Sequence, residues 1–192
     1  MRATARGVTL ALMAGSVGCL AALHVLRSDL DPIVRRLSEY ANGPYHVVMT
    51  AVFYAMGLAL VTLSLQLGTS QATAAVRLVA VLIAVAGVGL VLSGIFETGS
   101  DSVLTELVHS RASGTAVLTL AGAAVLYATH PAFNDIRRWD TAVRIIVGLA
   151  VVAVLVSPVL HDTRWSGIGQ RFVWLSLTAW LLMTAWQVPT DG

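Results

Sequence analysis

The chain has 192 residues, 57% of them hydrophobic and only 11% charged, and its mean hydropathy is +0.80. A water-soluble domain of this length needs far more surface charge, and the apolar residues come in runs of about 17–22, enough to cross a hydrocarbon core of ~30 Å. A net charge of +2, with every basic residue an arginine and no basic block, argues against a nucleic-acid partner, and the lone Cys19 excludes an internal disulfide.

Six apolar runs are predicted to span, at about 8–26, 46–67, 76–96, 102–130, 142–160 and 171–188. The expected fold is an all-α integral membrane protein, with residues 1–192 forming one bundle of six transmembrane helices joined by short loops. The first run follows Arg2 and Arg6 and stays apolar past Cys19 to Leu26. That is too long for a signal-peptide core, so a retained first helix is expected. Ala11, Ala14, Gly15, Gly18 and Ala22 give this helix a small-residue face that lets a neighbour approach closely, within the bundle, in a partner or in a second copy of the chain.

The loop at 27–45 has internal order. Asp31 is placed to cap a short helix with Pro32 at its first position, and Asn42-Gly43-Pro44 to end it. This helix is expected to lie in the headgroup layer over the bundle mouth, with Ile33, Leu37 and Tyr40 turned one way and Arg35, Arg36 and Glu39 another. Between the third and fourth runs, residues 94–114 carry Glu97, Asp101, Glu106, His109 and Arg111. Read as a helix from Ser102, the residues Ser102, Thr105, Glu106, His109 and Ser113 share one face, and Val103, Leu104, Leu107 and Val108 take the other. The fifth run stops at Ser157-Pro158 and His161-Asp162. The sixth opens with Arg171 after an expected turn at Gly167-Ile168-Gly169 and carries Trp174, Trp180 and Trp186.

An even number of spans puts both termini on one side. The arginines divide six against six, so Arg2 and Arg6 ahead of the first span decide the expectation: a multi-pass protein of the cell membrane with cytoplasmic termini. Seven of the ten acids, and His24, His46, His109 and His161 among five histidines, fall at the opposite end. The candidate ligand-binding residues are therefore Glu106, His109, Arg171, Arg111, Glu97, Ser38 and Glu39. An Arg171–Glu106 pair beside His109 is expected to form the pocket floor, because an unpaired arginine at a span end is costly.

Leu26-Arg27-Ser28-Asp29-Leu30-Asp31-Pro32, Leu37-Ser38-Glu39 and Gly43-Pro44-Tyr45 resemble the first loop of the domain-of-unknown-function 998 family of membrane proteins. Gly94-Ile95-Phe96 with Thr98, the later His109, and Gly167-Ile168-Gly169-Gln170-Arg171 extend the resemblance over most of the chain. It implies a six-helix membrane protein and is silent on activity. The chain departs from the family pattern at Glu97, where proline is usual, at Gly99, where aspartate is usual, and at Thr105, where the first of two paired histidines often stands.

Three function classes fit this pattern. The first is a non-catalytic protein that binds a lipid headgroup or another amphipathic small molecule, with membrane lipids as partners and no cofactor. The second is a zinc-dependent membrane hydrolase, in which His46, His109 and His161 with Asp101 would supply the nitrogen and carboxylate ligands of an open site. The third is a structural or partner-binding subunit. Ser38 lacks a nucleophile elbow to pair with His46 or His109. The span centres hold no ionisable residue, which disfavours ion-coupled transport.

Overall fold

The computed structural model describes residues 2–70, 73–99 and 101–188. Six long helices follow one another: α1 (Arg2–Leu26), α2 (His46–Ser70), α3 (Ala74–Ile95), α4 (Val103–Thr129), α5 (Asp140–Leu160) and α6 (Ser166–Gln187). Five of them, α1 to α5, are long and apolar enough to cross a bilayer. Helices suit that setting because every backbone N–H and C=O inside the segment finds its partner within it. Local chemistry sets the ends. The Thr73 hydroxyl accepts from the Val76 N–H at the start of α3, and the Ser102 hydroxyl from the Thr105 N–H at the start of α4. Pro131 then ends α4, since its ring disfavours helical geometry at His130.

The sixth helix is the exception in hydropathy, and its position explains why. Half of it faces protein: Val173, Ser176, Leu177, Thr178, Trp180, Leu181, Thr184 and Ala185 are all buried. Side chains turned away from lipid need not be apolar. The Ser176 and Thr184 hydroxyls are satisfied by the carbonyls of Phe172 and Trp180 one turn back.

Neighbours in sequence pack on each other, α1 on α2, α2 on α3, α3 on α4 and α5 on α6; the contact of α4 with α5 is much thinner. Two glycines join α2 and α3 in a close approach, and Gly89 does the same for α3 on the Ala112 carbonyl of α4. A Cβ at Gly57 would lie 2.8 Å from the Gly87 carbonyl oxygen, and one at Gly87 would lie 2.7 Å from that of Gly57. Only glycine lets the backbones meet so closely, and in lipid such contact replaces the hydrophobic drive that holds soluble helices together. Polar bonds add to it between α1 and α2: Thr9 with Thr62 at 2.7 Å, Gln66 to Thr9 at 2.7 Å, and Ser16 to the Val52 carbonyl at 3.0 Å. The start of α1 and the end of α6 lie at the same end, where Arg6 lies over the Trp186 ring at 5.5 Å.

The small residues of α1 are not used inside the bundle. Thr9, Met13, Ser16, Leu20 and Leu23 form its buried face, while Ala11, Ala14, Gly15, Gly18 and Ala22 are exposed on the other. Added Cβ atoms at Gly7, Gly15 and Gly18 would meet nothing within 4 Å.

The loop at 27–45 is no surface helix. Asp31 does cap its turn, accepting from the Ile33 N–H at 2.8 Å, but the helix breaks there and resumes as a short 3-10 helix, Leu37–Ala41. Leu37, Tyr40 and Ala41 point inward and are buried with Leu20, Leu23, Met49 and Val52 of α1 and α2. Ile33, expected on the same face, is 42% exposed. The loop is a plug, set into the end of the bundle opposite the termini.

Candidate functional site

Two arginines hold the plug, Arg27 and Arg171, and Arg171 does not act as the sequence suggests. Arg27 is buried, with its Nε and Nη2 donating to the Asp29 carboxylate at 2.9 Å and its Nη1 to the Asn42 carbonyl at 2.6 Å. The Asp29 carboxylate stabilises the Arg27 charge, raising that pKa, and is itself held below its ordinary value by the same bond. Arg171 sits one turn into α6. Its Nε donates to His24 Nε2 at 3.0 Å, its Nη1 to the carbonyls of Arg35 and Gly167, and its Nη2 to the Tyr40 hydroxyl at 3.1 Å. His24 can accept because its Nδ1 faces the Leu20 carbonyl at 2.8 Å and carries the ring proton.

The expected Arg171–Glu106 pair therefore does not form: among the described residues Arg171 meets no carboxylate. Carbonyls, a phenol and an imidazole supply acceptors for its N–H donors, and partial exposure to solvent screens the charge, so the guanidinium is held without a carboxylate. The expected turn at 167–169 is also helical. Gly167 opens α6 pressed against the plug, where a Cβ would come within 2.5–2.8 Å of the Pro32, Ile33 and Arg35 carbonyl oxygens. The Ser166 hydroxyl donates to the Val34 carbonyl, and Gln170 Oε1 accepts from the Leu37 N–H at 2.8 Å.

Glu106 closes its own loop instead, accepting from the Thr98 hydroxyl at 2.9 Å and the Gly99 N–H at 2.9 Å. Gly99 has φ +77, and a Cβ there would strike the Asn42 amide at 2.5 Å, so both the backbone conformation and the close approach call for glycine. Glu97 joins Thr50 and His46 of α2, the latter at 3.5 Å. Arg111 is exposed on α4, away from these groups. Of the stripe expected on α4, Glu106, His109 and Ser113 line one cleft, with only His109 buried and Glu106 exposed, whereas Ser102 and Thr105 do not reach it; on the other face Val103, Leu104 and Leu107 are 84%, 66% and 51% exposed and Val108 is half-buried.

His109 is buried, with Nδ1 placed 3.0 Å from the Ser93 carbonyl and 2.8 Å from that of Phe96. It thus caps the last turn of α3, whose final carbonyls have no partner in the helix. His109→Leu is expected to cost about 1–3 kcal/mol through those unpaired carbonyls, with partial recovery in His109→Gln. Thermal unfolding in detergent measures both. The four residues of the zinc alternative are spread over different partners: His46 on Glu97, His161 on Arg36, His109 on the α3 carbonyls, and Asp101 exposed. Among the described residues no three such groups lie together as ligands.

What the plug does enclose is a cleft of about 470 Å³ between α4 and the α5–α6 pair, reaching α1, α2 and α3 behind. Its depth is apolar, with Met56, Leu120, Val154, Leu177 and Leu181; its mouth is polar, with Arg36, Ser38, Glu106, His109, His161 and Gln170. A second, smaller space of about 410 Å³ adjoins it, sharing Arg36, Ser157, Pro158, His161 and Gln170 and adding Asp162 and Ser166.

The family model for proteins of unknown function DUF998 matches residues 4–187. The chain belongs to this family. No curated protein and no solved structure matches it. In this DUF998 chain the stretches that carry the resemblance, 26–32, 37–39, 43–45, 94–98, His109 and 167–171, meet at one end, as the two arginine clamps, the plug and the cap of α3. Sequence reasoning marked Arg171, His109, Ser38 and Glu39, and missed His24 and Tyr40 as partners of Arg171 and Gln170 as the acceptor for the Leu37 N–H. Glu39 is itself a plug brace: burial works against its charge, but the Arg36 N–H and the guanidinia of Arg36 and Arg35 outweigh this and hold its carboxyl below the usual range.

Proposed function

We propose that this protein binds a membrane amphipath in the cleft between α4 and α5, with the headgroup beside the plug and the chain along Leu120, Val154, Leu177 and Leu181. The observation that supports this is the grading of one cleft from apolar depth to polar mouth, open on the flank that faces lipid. Leu118 lines the cleft yet is 66% exposed, and the Cβ position of Gly114 meets nothing within 4 Å. The volume falls within the ~300–1,000 Å³ of small-molecule sites. In this reading α6 is the sixth span, and both termini are cytoplasmic because Arg2 and Arg6 precede α1.

Gly114→Trp tests it, since an added Cβ there meets nothing within 4 Å and the indole beyond it is placed to fill the seam. Protein extracted in mild detergent is expected to retain about one lipid per chain by native mass spectrometry, and the variant to lose it. Equal retention in both would overturn the reading. The partner-binding class has its own support in the outward small-residue face of α1, and it predicts cross-linking between copies or to another protein through positions 11, 14 or 18 with no retained lipid.

A further inference from the structure

The reading above leaves the headgroup open, and the smaller space at the cleft mouth bears on it. Three donors reach that space from three elements. Arg36 extends from the plug, bonded through Nε to Glu39 at 3.2 Å and through Nη1 to His161 Nε2 at 3.1 Å, which leaves Nη2 uncommitted. A guanidinium only donates, so His161 Nε2 is the acceptor and its ring proton is on Nδ1, a second donor. Gln170 spends its carbonyl oxygen on the Leu37 N–H, so its amide NH2 is the third. Donors from separate elements, one of them charged, suit a tetrahedral oxyanion better than a flat carboxylate, which a single guanidinium fork would satisfy.

The same space holds one acid, Asp162, exposed at the end of α5. It forms no ion pair with any described residue, although Arg36 lines the same cavity. With Glu39 offsetting one of Arg35 and Arg36, the vestibule is dipolar rather than cationic. A purely anionic headgroup would meet the Asp162 carboxylate with no counter-charge. A ligand carrying a phosphate and a protonated amine would match both poles. Quaternary ammonium groups are held by aromatic cages, and no aromatic residue lines this space, whereas a primary ammonium has N–H donors for a carboxylate.

We propose that the vestibule selects a zwitterionic phospholipid with a primary amine, of the phosphatidylethanolamine type, its phosphate on Arg36, His161 and Gln170 and its ammonium on Asp162. This rests on the amphipath cleft. Delipidated protein in detergent, titrated by native mass spectrometry with phosphatidylethanolamine, phosphatidylglycerol and phosphatidylcholine of identical chains, tests it. The first should bind about two- to fivefold tighter than the other two, the scale of one partly exposed charge pair. Asp162→Asn, which breaks no internal bond, should erase that preference while leaving binding of phosphatidylglycerol intact or stronger. Arg36→Gln should weaken all three lipids. Equal affinities in the unaltered protein, or a preference that survives Asp162→Asn, would overturn the proposal. If Gly114→Trp abolishes binding of all three lipids while no preference exists, the cleft stands and the headgroup assignment falls. If Gly114→Trp changes nothing, the cleft reading itself has failed.

Discussion

Gly87→Leu is expected to leave little folded protein, and Gly57→Leu to do the same from the facing helix. Even a methyl group at Gly87 would sit 2.7 Å from the Gly57 carbonyl oxygen, with Leu60 and Val61 side-chain atoms at 3.1 Å. A backbone carbonyl in mid-helix cannot rotate aside, so α2 and α3 must separate along the length of their contact. Overpacking by a methylene or two costs about 1–3 kcal/mol in a well-packed core. Gly87→Ala should fall in that range and Gly87→Leu beyond it. Gly15→Ala on the outward face of α1 is the control, with no atom within 4 Å of the added Cβ and a small gain in helix propensity. Thermal unfolding in detergent and the monodisperse fraction in size-exclusion chromatography read the series. Similar losses at Gly15 and Gly87 would mean that the α2–α3 approach is not what holds the bundle.

The second large effect is expected at the plug. Arg171→Ala removes bonds to His24, Arg35, Gly167 and Tyr40 together, and at roughly 0.5–1.5 kcal/mol for each bond the loss is about 2–6 kcal/mol. Arg171→Lys should recover only a small part, because one ammonium cannot reach a carbonyl, a phenol and an imidazole in fixed directions. Gly167→Ala should release the plug without touching a charge, through the three carbonyl oxygens that its Cβ would meet. Limited proteolysis within 27–45 reports release in each variant, and thermal unfolding gives the magnitude. Combining Arg171→Ala with Glu106→Ala provides a sharp check: the residues share no partner, so their losses should add to within a few tenths of a kcal/mol. A double variant that costs clearly less than the sum would place the two side chains in contact after all.

The amino-acid sequence by itself determined that six long helices follow one another, with most of their ends within about three residues of those observed, and that the plug, the start of α4 and the start of α6 share one end. Apolar run length and capping residues carry that information locally, and the alternating direction of six consecutive helices forces the rest. The stripe Glu106, His109 and Ser113 was legible for the same reason, since 3.6-residue periodicity needs no tertiary contact. The start of α6 was misplaced by five residues because Gly167 and Gly169 read as a turn, whereas in the fold they are the flat spots on which plug carbonyls and Leu160 rest. Which small residues pack was equally hidden: the glycines of α1 face outward, while Gly57 and Gly87 join helices.

Partner choice lay wholly in the tertiary structure. Charge led to Glu106 as the mate of Arg171, but hydrogen-bond capacity and reach decided the matter. The plug brought its carbonyls and Tyr40 to Arg171 from more than 130 residues away in sequence. Glu106 found the nearer donors of its own loop, Thr98 and Gly99. The polar mouth changed accordingly: Glu106 lines it as expected, Arg171 does not, and Arg36, His161 and Gln170 take its place. Complementary charge is visible in a sequence, whereas the direction of a donor is set only when its helix is packed.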